Sequence, residues 1–418
     1  MKKVAIVGFG REGQSLYQYL KGQATYKRAE FWVLDQNKGL TIPKDVGSVL
    51  GPEYLNNLDQ FDLIFRSPGV PYHSVSSRLQ NPHSKLSSAT KLFFTKCPCP
   101  IIGVTGTKGK TTVSTLIYEI FKNCGWDVYL AGNVGEPALN ILPKLKKDSL
   151  VVLEMSSFQL QDLTKSPAVA VVLEMFPDHQ DAHLSFDEYF QAKSQIALHQ
   201  NAGNKIFYFT DNQYSKKIAN LSKGEKTGIN DKNFLPFSAK DLLIPGRHNV
   251  RNALMAFSVA QSFGCPTDRI LETVFNFKGV EHRLEFVKKN NGVSFYNDSA
   301  STNPSTTIAA VKSFKEPKIL IVGGKDKNLS YNEWLGVFNM NKVKMIILFG
   351  ENKNKIKKSL SGEKKFNIKI GQGLNECVLL AKKIAQAGDV VLFSPGAASF
   401  DMFKNYAERG EQFKRLVA

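Results

Sequence analysis

A chain of 418 residues, 42% of them hydrophobic, is long enough for two or three domains with real cores. Its formal charge of +18 favours anionic ligands, yet the basic residues are dispersed, clustering only at Lys355 to Lys358 and Lys364-Lys365, and no nucleic-acid-binding module is recognisable. No apolar run approaches the roughly 18 residues that span a bilayer, Met1-Lys2-Lys3 leads straight into a strand, and five scattered cysteines exclude a disulfide framework, so a cytoplasmic protein with reduced thiols is expected.

The first strand, Val4-Ala5-Ile6-Val7, is followed by Gly8-Phe9-Gly10-Arg11-Glu12-Gly13. This G-x-G-x-x-G spacing lets a diphosphate approach a helix start. A second strand, Phe31 to Leu34, delivers Asp35-Gln36 about 20 residues on, where a carboxylate can bond a ribose hydroxyl. A third, Leu63-Ile64-Phe65, ends in Arg66-Ser67-Pro68-Gly69-Val70, either a ligand loop at the same sheet edge or a plain turn. Asn81-Pro82-His83-Ser84 and Cys97-Pro98-Cys99-Pro100 then punctuate the chain and set a first boundary near residue 95.

Beyond it lies Gly103-Val104-Thr105-Gly106-Thr107-Lys108-Gly109-Lys110-Thr111-Thr112, which opens a helical pattern of Val113, Leu116, Ile117, Ile120 and Phe121. Strand, glycine turn and helix N-terminus aim free N–H groups at one anion-sized space. Lys110 adds a point charge and Thr111 a hydroxyl for a phosphate-bound Mg²⁺. The loop is a variant, because Val104 stands where the usual phosphate loop has its first glycine.

Leu150 to Leu153 places Glu154 at a strand's carboxyl end, suited to Mg²⁺, and Ala168 to Leu173 leads to loop residues Asp178 and His179. In Phe186 to Ala197, helical spacing puts Lys193 on the same face as Phe186, Tyr189, Phe190, Ile196 and Ala197. Either its stem snorkels to the rim, or the amine is buried, nucleophilic and able to carry a carbamate. Pro245 to Ala253 opens a helix ending before Gly264, with His248, Asn249 and Asn252 at one edge for a base or ribose, Asn249 also serving as a possible cap. Glu281-His282-Arg283 marks a second boundary near residue 280.

The last segment again alternates. Strands Val293 to Tyr296, Ile319 to Val322, Met345 to Phe349 and Val390 to Phe393 end in polar loops Asn297-Asp298-Ser299, Gly323 to Lys327 and Ser394 to Asp401. The class is α/β throughout.

Taken together, Gly103 to Thr112, Glu154-Met155-Ser156-Ser157-Phe158-Gln159-Leu160, Gly246 to Ala253, His282-Arg283 and Ser394 to Phe403 resemble the Mur ligase family. The resemblance covers nearly the whole chain and implies three domains: residues 1–95, Rossmann-like, for a UDP-linked substrate; 96–280, a central P-loop-type ATPase domain with a mainly parallel sheet; and 281–418, Rossmann-like, for an amino acid. It implies ATP-dependent amide-bond formation through an acyl phosphate in cytoplasmic peptidoglycan precursor synthesis, by a monomer. The late motifs point to UDP-N-acetylmuramoyl-L-alanine and D-glutamate as substrates.

By the same resemblance, Gly106, Thr107, Lys108, Gly109, Lys110, Thr111 and Thr112 hold the ATP phosphates, and His248, Asn249, Asn252, Arg283 and Asp298 surround the nucleotide. Thr111, Glu154, His179 and carbamylated Lys193 serve metal ions, with Lys110, Glu154, His179 and Lys193 as catalytic residues. Gly10, Arg11, Glu12, Gly13, Asp35, Gln36, Ser67, Pro68, Gly69 and Asn133 take the UDP substrate, and Thr302, Lys327, Ser399, Phe400 and Tyr406 take D-glutamate. Two departures stand out. Ala300 replaces a family lysine near the amino-acid pocket, which Lys325 could offset, and Glu174 stands where the family usually has asparagine.

Three other readings compete. A related ligase could add L-glutamate or extend a folate; a nicotinamide oxidoreductase would leave the second phosphate loop unexplained; a basic nucleic-acid-binding module would need a groove that the sequence does not display.

Overall fold

The computed structural model describes residues 2–176, 183–232 and 234–418, without the side chain of His83. By internal contacts the chain divides into two compact units, Met1–Pro236 with Arg251–Thr273, and Phe237–Val250 with Val274–Ala418.

The first unit holds two parallel sheets. β1 (Lys3–Val7), β2 (Glu30–Asp35), β3 (Gly47–Leu50), β4 (Leu63–Arg66) and β5 (Leu86–Ser87) lie in the order β3-β2-β1-β4-β5. β6 (Ile101–Thr105), β7 (Val128–Gly132), β8 (Leu150–Glu154), β9 (Val169–Val172), β10 (Lys205–Phe209) and β11 (Glu225–Ile229) lie in the order β11-β10-β9-β6-β8-β7. Central strands such as β6, β8 and β9 are buried along their whole length, as expected where helices cover both faces of a parallel sheet. One apolar cluster runs from Val4, Leu16 and Phe93 of the first sheet's layer to Leu139, Met155 and Ile196 of the second's.

The second unit holds β12 (Glu285–Asn290), β13 (Val293–Asn297), β14 (Lys318–Gly323), β15 (Val343–Phe349), β16 (Asn367–Ile370) and β17 (Val390–Phe393), in the order β12-β13-β17-β14-β15-β16. Here β12 pairs antiparallel with β13 while the other neighbours are parallel, so the sheet is mixed.

Each order places a switch of direction where loops part. Strand β1 lies between β2 and β4, and β6 between β8 and β9, so the chain leaves adjacent carboxyl ends in opposite directions and opens a crevice. Among the described residues, no helix is long and apolar enough to cross a membrane.

Candidate active site

At the carboxyl edge of the first sheet, Gly8, Gly10, Arg11, Glu12, Asp35, Gln36 and Ser67 to Val70 line an open groove of about 400 Å³. Glycines are required here. A Cβ on Gly13 would stand 2.2 Å from the Gly8 carbonyl oxygen, and Gly8 itself has φ +86°. Asp35 accepts from the N–H groups of Phe9 (2.7 Å) and Asn37 (2.8 Å), so its carboxylate first shapes the glycine loop that a nucleotide would meet. Ser67 does the same from the other side, its hydroxyl donating to Gly8 O at 2.6 Å. Glu12 turns inward instead, accepting from Gln159 Nε2, and burial raises its carboxyl above the ordinary range.

In the second sheet Gly103 belongs to the strand, where a Cβ would press on Met155 and Pro167, and Val104 pairs with Glu154. The loop proper therefore begins at Gly106, which explains the missing first glycine. Gly106 (φ +153°) and Gly109 (φ +84°) take the left-handed turns, and the helix Lys110–Asn123 follows with Val113, Leu116, Ile117, Ile120 and Phe121 fully buried. Lys110 Nζ donates to the carbonyls of Gly106 and Thr107, both at 3.0 Å, and so holds the loop's curvature. Thr107 is tied down through its N–H to Glu174 O and its hydroxyl to Phe176 O and the Tyr189 hydroxyl, while Lys108 stands exposed. Thr111 and Thr112 occupy the helix's first turn, half-buried.

Glu154 ends β8 almost fully buried. Its Oε1 accepts from Asn133 Nδ2 at 2.9 Å, and its Oε2, also buried, has no hydrogen-bond partner among the described residues. A desolvated carboxylate oxygen without a donor is costly unless a cation joins it, so this donor set fits a divalent ion beside the phosphate loop. Asn133 thus touches the acid directly.

The helix Phe186–Leu198 buries Lys193 to 2% exposure and leaves Phe186 and Phe190 half-buried, which answers the snorkelling alternative. Lys193 Nζ donates to Thr105 Oγ1 at 3.2 Å and lies 4.9 Å from the Tyr189 ring centroid. Thr105 in turn donates to Met155 O, next in sequence to Glu154, so the amine reaches the same strand end through one hydroxyl. Asp178 and His179 lie outside the described residues.

Asn252 stands over the loop, its Oδ1 only 2.6 Å from where a Gly109 Cβ would be. Next to it Arg251 gathers Glu174 (3.0 Å), Asp211 (2.7 Å) and Asp231, so Glu174 is held by a guanidinium. Sequence spacing carries no signal for this group, nor for His183, whose Nε2 meets Ser157 Oγ at 2.8 Å and whose ring stacks on Phe158. Gln159 had a local signal, the Ser-x-x-Gln capping box that Ser156 and Gln159 complete.

In the second unit Asn249 Nδ2 donates to Pro245 O at 2.7 Å, and the His248 ring lies against Gly246. Asp298 is buried and accepts from Leu284 N (3.1 Å) and from the hydroxyls of Ser394 (2.7 Å) and Ser301; burial pushes its carboxyl up to about 6. Arg283 lies one residue before Leu284 and adds a favourable charge toward Asp298. Lys327 sits 5.5 Å over the Phe400 ring, which is 64% exposed, while Tyr406 is half-open to solvent and its carbonyl accepts from Ser299 Oγ. Thr302 follows the loop at Ser301, and Ser399 O accepts from the N–H groups of Met402 and Phe403. Lys325, the possible substitute for the absent lysine at position 300, is paired with Glu351 at 2.7 Å. Arg409, unsignalled by sequence, is fully buried and bonds Ser299 O, Ser299 Oγ and Ala397 O, which braces these loops.

Comparison with known proteins matches residues 104–260 to the Mur ligase middle domain and residues 282–396 to the Mur ligase glutamate ligase domain. A UDP-N-acetylmuramoylalanine--D-glutamate ligase of Acetivibrio thermocellus is 39% identical over all of this chain and 96% of its own length. The enzyme of the same name from Clostridium tetani is 35% identical, again over 100% and 96%. Among solved structures, UDP-N-acetylmuramate-alanine ligase of Thermotoga maritima superimposes with a TM-score of 0.55 over 99% of both chains at 16% identity, a likeness of fold.

Proposed function

The chain belongs to the Mur ligase family, and from that premise we propose that it joins D-glutamate to UDP-N-acetylmuramoyl-L-alanine at the expense of ATP, in cytoplasmic peptidoglycan precursor synthesis. The observation that carries the chemistry is Glu154. It is a buried carboxylate with one oxygen on Asn133 and the other lacking a protein donor, set where β8 ends beside the phosphate loop.

In this reading the loop amides from Gly106 to Thr112 and Lys110 neutralise the ATP phosphates, while Thr111 and Glu154 hold Mg²⁺. When bound, the ion supplies charge neutralisation for phosphoryl transfer. The γ-phosphoryl group passes to the acceptor's terminal carboxylate, releasing ADP; the amine of D-glutamate then attacks the acyl carbon, and phosphate leaves as the amide forms. Catalysis is mainly positioning and charge stabilisation, and this chain's groups are arranged for both. Asn133 orients Glu154, and the Thr105 hydroxyl orients Lys193. A carbamate on Lys193 would place oxygens where the buried amine now lies, and His179 would add a second metal ligand. The groove from Gly8 to Val70 takes the UDP end, with Asp35 for the ribose. Lys327, Phe400, Ser399, Thr302 and Tyr406 take D-glutamate, Lys327 pairing with a carboxylate.

Purified protein given ATP, Mg²⁺, UDP-N-acetylmuramoyl-L-alanine and D-glutamate should release phosphate and gain one glutamyl residue in product mass. The same mixture with L-glutamate should not. Phosphate release with L-glutamate alone, or none with either, overturns the assignment.

A further inference from the structure

Arg66 is the last residue of β4, is 1% exposed, and lies between two loops with separate duties. Its Nη1 donates to Val70 O at 2.8 Å, closing the Ser67–Val70 loop that lines the groove of the first sheet. Its Nη2 donates to Phe158 O at 2.6 Å, in the short helix Ser157–Leu160 that begins three residues after Glu154. The nearest carboxylate oxygen, Asp162 Oδ1, is 3.8 Å away, and the Tyr72 ring lies 5.6 Å from the guanidinium carbon. Burying a guanidinium is expensive, and two main-chain carbonyls with one distant acid repay it poorly, so a lysine-sized or apolar residue would serve packing as well. What the planar fork does uniquely is hold at one spacing two carbonyls from segments that follow strands of different sheets.

A second link runs beside it. Glu12, in the first turn of the helix Arg11–Lys21 that follows the glycine loop of the same groove, accepts from Gln159 Nε2, and Gln159 Oε1 accepts from Ser156 N at 2.9 Å. Phe158 also stacks on His183, 4.9 Å between centroids, so the segment that Arg66 grips is held in turn against the chain beyond residue 182.

We infer that Arg66 is a positioning residue that fixes the distance between the groove for the acceptor's nucleotide end and the strand end carrying Glu154. The inference rests on the groove being the uridine-diphosphate site. An acceptor tethered at one end reacts at the other only if that span is constant, and a shift of about 1 Å between them costs on the order of 100-fold in rate.

The test compares wild type with Arg66→Met, Arg66→Lys and Asp162→Asn. Calorimetric titration with uridine diphosphate comes first; wild type that binds none removes the groove assignment itself, whatever the variants do. Given binding, Arg66→Met should raise the KM for the UDP-linked acceptor roughly tenfold and lower kcat by a similar factor, with the KM for ATP changed less than about twofold. Arg66→Lys, reaching one carbonyl at a time, should recover part of kcat, and Asp162→Asn, which leaves both carbonyl bonds, should stay within about threefold of wild type in both parameters. Should Arg66→Met fail to fold, Arg66→Lys decides alone. Kinetic constants for folded Arg66 variants equal to wild type, or an equal loss for ATP and acceptor, overturn the inference.

Discussion

At the scale of single residues, the site depends on polar atoms held where water cannot reach them. Glu154→Gln keeps an oxygen for Asn133 and removes the charge, so kcat should fall about 100-fold while the Mg²⁺ concentration for half-maximal rate rises, read from Mg²⁺ titrations of phosphate release. Lys193→Ala should lower turnover by a similar or larger factor. Wild type in ¹³C-bicarbonate should show a carbamate carbon resonance that the variant lacks, and wild type without that resonance sets the carbamate aside. Asp298 gives a pH signature. Its folded-state carboxyl lies near 6, above the ordinary value of 3.8, because burial disfavours the charge more than three donors favour it. The folded state then binds the extra proton, so this group's stabilisation is greatest below about pH 4 and is lost as pH rises through 6. The difference in Tm, wild type minus Asp298→Asn, should therefore decrease between pH 4 and pH 6.5 in thermal melts; a flat difference contradicts the assignment. Lys193 was legible because a lysine on an apolar helix face breaks a short-range pattern. Asn133 on Glu154 and Arg66 on Phe158 were not, since each joins segments whose separation in sequence encodes no geometry.

At the scale of elements, the phosphate loop is the clearest case of local sequence dictating form. The strand β6, the two left-handed glycines and the apolar stripe of Lys110–Asn123 all follow from residues of one continuous stretch, Ile101 to Asn123. Gly109→Ala should be tolerated poorly, since its φ is +84° and the new methyl would lie 2.6 Å from Asn252 Oδ1. The expected result is an ATP Kd raised at least about tenfold with a Tm loss of a few degrees, by titration and melting respectively. Other elements left fainter traces. β3, β5 and β16 are short or only half-buried, so neither alternation nor a continuous apolar run announces them. β12, Glu-Phe-Val-Lys-Lys-Asn, carries two lysines in a row and pairs antiparallel through a bulge, which a reading based on repeated parallel units does not anticipate. The departure at Glu174 gains its meaning only in three dimensions, where Arg251 holds it together with two aspartates.

At the scale of the whole molecule, a charge of +18 meets substrates that in the proposed reaction are all anions. Long-range attraction of this kind is screened within about 10 Å at 0.1 M salt, so kcat/KM for the UDP-linked acceptor should decline severalfold between 50 and 500 mM KCl while kcat changes little. A salt-independent kcat/KM would confine the charge to other purposes. Strand order has a different consequence, felt while the chain is still being made. β6 lies between β8 and β9, both synthesised after it, and β17, which follows the other five strands of its sheet in the chain, lies between β13 and β14. The nascent protein must therefore keep open a slot in the middle of this sheet until β17 has emerged, and a truncation before Val390 would remove a central strand rather than trim an edge.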